Sequence, residues 1–182
     1  MPKALLILTT GGTFDKRYPE GQWVQEFAFP PSHESAVSDI LRRARMSPDD
    51  YEQDWVFAED STKITDEQRA LIAERCAAAA QSRIVVTHGT DTMTHRMDPA
   101  TGKLSDKPST ASVIAARMLN KTIVLTGAAQ PAVMRDSGTD FNLGLAIGAA
   151  LTAPPGVYVA MNGLVCDWNA CLKDIDGRFK RR

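Results

Sequence analysis

Ala4-Leu5-Leu6-Ile7-Leu8-Thr9-Thr10-Gly11-Gly12-Thr13 is the stretch that decides the fold. Residues 4–9 form a short apolar run without polar alternation, the pattern of a strand buried on both faces. The paired glycines let the backbone turn sharply and approach a ligand with no Cβ in the way, leaving Thr13 at the sheet edge with its hydroxyl free. Strand-like runs recur at residues 54–58, 83–87, 122–126 and 156–161. Helical patterns fall between them, near residues 34–46, 66–81, 111–119 and 142–150, and Thr65 followed by Gln68 has the form of a capping box. Apolar strands separated by helices predict an α/β fold. The expected form has three layers, a mostly parallel sheet flanked by helices, in one domain over residues 1–182 with no second domain.

In an open parallel sheet, ligands bind at the carboxyl ends of the strands, so the residues just after each strand are the informative ones. The third strand ends in His88-Gly89-Thr90-Asp91-Thr92-Met93, which sets a hydroxyl, a carboxylate and a second hydroxyl on consecutive positions. The second is followed by Glu59-Asp60-Ser61-Thr62-Lys63-Ile64-Thr65, polar and rich in hydroxyls, and the fourth by Gly127-Ala128-Ala129-Gln130-Pro131. Lys173 lies beyond the fifth strand and Met161-Asn162-Gly163. Each feature has a plainer reading: a tight turn capped by a threonine, a loop with a good helix cap, simple packing, a surface lysine. The first turn could also cradle a phosphate, yet it lacks both the Gly-x-Gly-x-x-Gly fingerprint and the lysine of a P-loop. His88, Asp91 and His95 could suggest a metal site, but no further ligand cluster accompanies them. His88 reads as a hydrogen-bonded structural histidine, and neither a metal nor a cofactor is expected. Two long irregular segments, residues 15–31 and 97–108, read as functional lids or insertions.

The protein has 182 residues, 43% hydrophobic and 24% charged, with a formal net charge of -1. That balance is ordinary for a globular protein and supplies no field toward nucleic acid or an anionic membrane. No apolar stretch approaches the roughly 20 residues of a membrane span. Met1-Pro2-Lys3 leads straight into the first strand, without the form of a signal peptide. Cys76, Cys166 and Cys171 are spaced neither as a zinc site nor as a redox pair and read as small hydrophobes in or near the core. A reduced, cytoplasmic protein is expected.

Together these pieces resemble the bacterial-type L-asparaginase family, in a short form equivalent to its N-terminal domain. Thr10-Gly11-Gly12-Thr13 looks like the first family motif and His88-Gly89-Thr90-Asp91-Thr92-Met93 like the second. Asp60-Ser61 before Ile64-Thr65, Gly127-Ala128 with Pro131, Phe141-Asn142-Leu143 and Met161-Asn162-Gly163 extend the likeness over nearly the whole sequence. The resemblance implies hydrolysis of L-asparagine to L-aspartate and ammonia. Thr13 would be the nucleophile, with Thr90, Asp91 and Lys173 as the second catalytic group. Ser61 and Asp91 would hold the substrate's α-carboxylate and α-amino groups, with Asp60 and Thr62 alongside, and Tyr18 would belong to the loop that closes over the site. Backbone N–H groups of the glycine turns at Gly12 and Gly89, with that of Thr90, would serve the oxyanion.

These roles make chemical sense, because a threonine hydroxyl needs a nearby base or polarised network. A lysine, ordinarily titrating near about 10.4, serves as that base only if its surroundings depress the value. Alternative expectations are a glutaminase, a broader amidase, an ammonia-releasing subunit, or an amino-acid-binding domain without turnover. Three departures from the family are expected: no counterpart of its smaller C-terminal domain, an interruption by residues 97–108 of the helix that follows the second motif, and Thr62 where many relatives carry glutamine or serine. An open site mouth predicts a homo-oligomer, a dimer or tetramer.

Overall fold

The computed structural model describes residues 3–19, 21, 26–31 and 34–182. Leu5–Gly11 forms β1, with every residue buried. The capped helix Ala36–Arg43 (α1) leads to β2, Tyr51–Glu59, and then α2, Asp66–Ala78. Arg83–Thr87 (β3) is followed by the short strand His95–Arg96 (β4), the helix Thr110–Ala115 (α3) and Thr122–Thr126 (β5). Next come α4, Thr139–Thr152, then Gly156–Met161 (β6), Leu164–Asp167 (β7), Cys171–Lys173 (β8) and Phe179–Arg181 (β9).

The main sheet has the order β2-β1-β3-β5-β6-β7, parallel except for the β6–β7 pair. Residues alternate between its two faces, and because both faces are covered the runs are continuously apolar. Leu6, Leu8, Ile84, Val86, Ile123 and Leu125 pack with Ile72, Cys76 and Ile114 from α2 and α3. Leu5, Ile7, Val85 and Val124 pack with Ile40, Leu41, Leu143 and Ala146 from α1 and α4. The molecule is therefore the three-layer, mostly parallel α/β arrangement expected. No helix among the described residues is long and apolar enough to cross a membrane.

The expected capping box is present: Thr65 Oγ1 accepts from Gln68 N at 3.2 Å, and Gln68 Oε1 accepts from Thr65 N at 2.9 Å. A second box, Ser109 with Ser112, starts α3. Its serine in place of Glu or Gln hides it from the usual sequence pattern. The helices differ from expectation mainly at their ends. α1 stops at Arg43 because Arg45 turns left-handed (φ 58), and α3 ends early for the same reason at Met118 (φ 48). α4 starts three residues before the expected Asn142, at Thr139.

Three short strands beyond Met161, together with β4, add to the five strands legible in the sequence. β7 follows Asn162 (φ 54) and Gly163 (φ 83), a two-residue hairpin turn whose Asn-Gly sequence is the available signal. β4, β8 and β9 make a separate small sheet, β4 parallel to β8 and β8 antiparallel to β9.

Residues 97–108 form a mainly exposed excursion that is nevertheless pinned at its base. Met97 N donates to Lys173 O at 2.9 Å, Asp98 N to Lys103 O at 2.7 Å and Ser105 N to Arg96 O at 3.0 Å. The other excursion, residues 15–31, is closed at its base by reciprocal bonds between Arg17 and Ala28, each 2.9 Å. Glu20 and residues 22–25 within it lie outside the described residues.

Candidate active site

Three turns meet at the carboxyl edge of the sheet because no side chain keeps them apart. A Cβ on Gly12 would sit 2.5 Å from Gly89 N, and one on Gly89 would sit 2.7 Å from both Cβ and Oγ of Ser61. Real atoms do not approach so closely, so these glycines are what allow the ends of β1, β2 and β3 to touch. Gly12 N also donates to Glu59 O at 2.9 Å, tying the first turn to the end of β2.

Thr13 opens a single 3-10 turn, Thr13–Asp15, just past this contact. Phe14 anchors the turn in the core. Asp15 anchors it to α1, its Oδ1 accepting from Ser35 Oγ at 2.7 Å and from Ala36 N at 2.9 Å. Burial pushes the Asp15 carboxyl up to about 6, against the opposing pull of these two hydrogen bonds. Thr13 is partly exposed, and its hydroxyl makes no hydrogen bond to the described residues.

Across the first turn, Lys173 Nζ donates to Thr90 Oγ1 at 2.8 Å and to Asp91 Oδ1 at 2.9 Å. The lysine comes from β8, which the small sheet folds back onto the residues after β3. Arg96 Nη1 reaches the same Asp91 oxygen at 3.3 Å, so one carboxylate oxygen serves two cations. Ser61 is buried beneath them: its Oγ accepts from Asp91 N at 3.2 Å and its carbonyl accepts from Thr92 Oγ1 at 2.7 Å.

His88 is fully buried, and burial pushes its pKa down to about 4, leaving the ring neutral. Its Nδ1 lies 2.7 Å from Gly89 O and its Nε2 2.8 Å from Thr110 Oγ1. A carbonyl only accepts, so Nδ1 carries the proton and Nε2 accepts from the threonine. His88 is the structural histidine expected, and it holds the Gly89 turn to the start of α3.

The structure thus brings Ser61, Thr90, Asp91 and Lys173 into one hydrogen-bonded group, with Gly89 packed against Ser61 and with Gly12 and Thr13 on the adjoining turn. Other candidate residues stand apart from that group. Asp60 pairs with Lys16 at 2.8 Å. Thr62 is exposed and lines a neighbouring cavity. Tyr18 is 56% exposed on the 15–31 excursion, its ring 4.3 Å from that of Phe27. Sequence reasoning misses Arg96, Lys16 and Asp15. Their importance comes from where distant segments meet, and nothing in their local sequence marks it. Cys76, Cys166 and Cys171 are buried and free, as small hydrophobes should be. Cys166 and Cys171 also lie near enough to influence each other's titration, a proximity their spacing does not suggest.

A parallel sheet clothed on both faces, with hydroxyl, carboxylate and amine groups gathered where its strands end, defines an α/β protein built to hold a small polar ligand at that edge. The protein belongs to the asparaginase family: the family described as "Asparaginase, N-terminal" matches residues 4–174. Among solved structures, the thermostable L-asparaginase from Thermococcus kodakarensis is similar at 26% identity and a TM-score of 0.72, covering 97% of this chain and 50% of that one. L-asparaginase I from Vibrio cholerae is 21% identical, with a TM-score of 0.75, over 100% of this chain and 52% of that one. A probable cytoplasmic L-asparaginase from Campylobacter jejuni is 22% identical, with a TM-score of 0.72, over 98% and 53% respectively. The sequence spans about half the length of these relatives. No curated protein sequence matches it.

Proposed function

We propose that this protein supplies the catalytic domain of a cytoplasmic L-asparaginase, converting L-asparagine and water to L-aspartate and ammonia. The observation that carries the reading is the Lys173 ammonium, hydrogen-bonded to both Thr90 and Asp91 from a strand more than eighty residues away (|i−j| of 83 and 82). A binding site alone needs neither the second threonine nor the lysine.

In this reading Thr13 Oγ attacks the side-chain amide carbon, and N–H groups of the Gly89–Thr90 turn stabilise the oxyanion, while Gly12, its own N–H held by Glu59 O, lets the first turn approach the substrate. Thr90, held by Lys173, relays the proton that leaves with ammonia. Water then attacks the ester at Thr13, releasing aspartate and restoring the hydroxyl. Ser61 and the free oxygen of Asp91 orient the α-carboxylate and α-ammonium, with Asp60 and Thr62 at the margin and Tyr18 on the closing loop. A single domain over residues 1–182 performs the chemistry, and association with further copies closes the mouth of the site. No cofactor takes part.

Ammonia release from L-asparagine and L-glutamine, measured side by side, tests the reading. Wild type is expected to prefer asparagine. Thr13→Ala, Thr90→Val and Lys173→Met are each expected to lose at least about a hundredfold in kcat/KM with the fold intact. Asparagine binding without ammonia release by the wild type would instead mark an amino-acid-binding domain.

A further inference from the structure

Beside the reaction centre lies a second space that the reading above does not use. A cavity of about 360 Å³ opens between the start of α2 and the 97–108 excursion, and Asp91 and Thr62 stand on its rim. Its walls carry three cationic side chains, Arg69, Arg96 and Lys107. Arg69 is 9% exposed, and its Nε is buried with no hydrogen-bond partner, although Nη1 reaches Asp66 Oδ1 at 3.0 Å on the outer surface. Lys107 has no ion-pair partner among the described residues.

Besides Asp66 outside, two carboxylates line the cavity with these cations, and both are engaged. Asp91 Oδ1 is shared by Lys173 and Arg96. Asp98 Oδ1 accepts from Ala100 N at 2.8 Å and Thr101 N at 3.4 Å. Burial, reinforced by Arg182, lowers the pKa of His95 on the same wall and so disfavours its charged form. Arg69, Arg96, Lys107 and the adjoining Lys173 stand against Asp66, Asp91 and Asp98, so this partly enclosed space keeps one surplus positive charge, which favours an anion. Planar, forked guanidinium groups suit a carboxylate.

We propose that this cavity is a carboxylate subsite continuous with the reaction centre. Its occupant is the terminal carboxylate of a short peptide that begins with asparagine. This deepens the asparaginase reading and rests on it. With the α-ammonium on Asp91, the peptide leaving the α-carbonyl passes Thr62 into the cavity, and the next residue's carboxylate meets Arg96, Lys107 and Arg69. The reaction is the same hydrolysis: the C–N bond of the asparagine amide breaks, water supplies the hydroxyl, ammonia leaves, and the peptide bond is untouched.

The test compares L-asparaginylglycine with its C-terminal amide, which differ only in the carboxylate. On the wild-type protein the acid is expected to exceed the amide at least about tenfold in kcat/KM. In Lys107→Gln that ratio is expected to fall toward one. Titration calorimetry of the same two ligands on Thr13→Ala separates the subsite from the chemistry. Tighter binding of the acid, with no turnover of any amide by the wild type, retains the subsite and rejects the amidohydrolase. Equal binding of acid and amide, with asparagine turnover intact, rejects the subsite and retains the amidohydrolase. Free succinate is the control for an untethered anion. If succinate binds in a Lys107-dependent way while acid and amide remain equivalent, the peptide assignment is overturned.

Discussion

Asp15 and His88 pull the pH dependence of stability in opposite directions. Between its ordinary value of 3.8 and its native value of about 6, the Asp15 carboxyl keeps a proton in the folded state that the unfolded state has released. Stability therefore falls as pH rises through that window, by about 3 kcal/mol once Asp15 is fully ionised. His88 does the reverse. Between its native value of about 4 and its ordinary 6.5, the unfolded state binds a proton that the buried ring refuses. Stability is lost as pH falls through that range, again by about 3 kcal/mol. From these two groups, the wild-type urea midpoint is expected to be nearly flat between pH 4 and 6.5. Asp15→Asn mimics the protonated acid, so its midpoint is expected to climb with pH over the same range and to equal or exceed wild type above pH 6. Parallel profiles for the two proteins would refute this account of Asp15. Residues of this kind are the hardest to read from sequence. Thr13, Thr90 and Asp91 sit in contiguous motifs that single them out directly, whereas Lys173 is reached only by following the family resemblance past Met161-Asn162. Arg96 and Asp15 carry no local mark, because their partners lie on other elements.

At the scale of elements, the small sheet β4-β8-β9 decides where Lys173 points. β8 is only three residues long, and it is held from one side by β9 and from the other by β4 and Met97 N. Met97→Pro removes the N–H that donates to Lys173 O and leaves the neighbouring bonds of Arg96 and Asp98 in place. The loss of one hydrogen bond is expected to cost about 1 kcal/mol in urea unfolding. Its larger expected effect is a fall in ammonia release of at least about tenfold, from a lysine no longer fixed against Thr90. Unchanged turnover would show that β9 alone positions β8. The long central strands are readable because burial on both faces leaves an unbroken apolar run. β4, β8 and β9 span two or three residues each, too few for any periodicity to register.

The whole molecule keeps its apolar surface unevenly. Val133 (59% exposed) and Met134 lie in the loop after β5, and Phe141 (62% exposed) lies in the first turn of α4. All three fall near the carboxyl edge of the sheet, where a neighbouring copy would shelter the site. Sedimentation is expected to give a species larger than the 19.8 kDa protomer, with Val133→Glu and Phe141→Glu shifting it toward the monomer. A wild-type monomer with full activity would sink that expectation. The layered architecture is legible as a whole because alternating strands and helices admit few arrangements. The face proposed to meet another copy is not, since exposed apolar residues become visible only once the protein is folded.

The interlocked glycine turns divide the protein into parts that tolerate alteration and parts that do not. Around Gly12 and Gly89 even one added methyl group collides with backbone or with Ser61, so selection for new specificities has no side-chain size to vary there. At Gly102, at the far end of the 97–108 excursion, nothing lies within 4 Å of where a Cβ would stand, and only its left-handed backbone (φ 64) restrains substitution there. Diversity in a mutagenic library, or among natural variants, should therefore accumulate along that excursion while the three turns stay invariant.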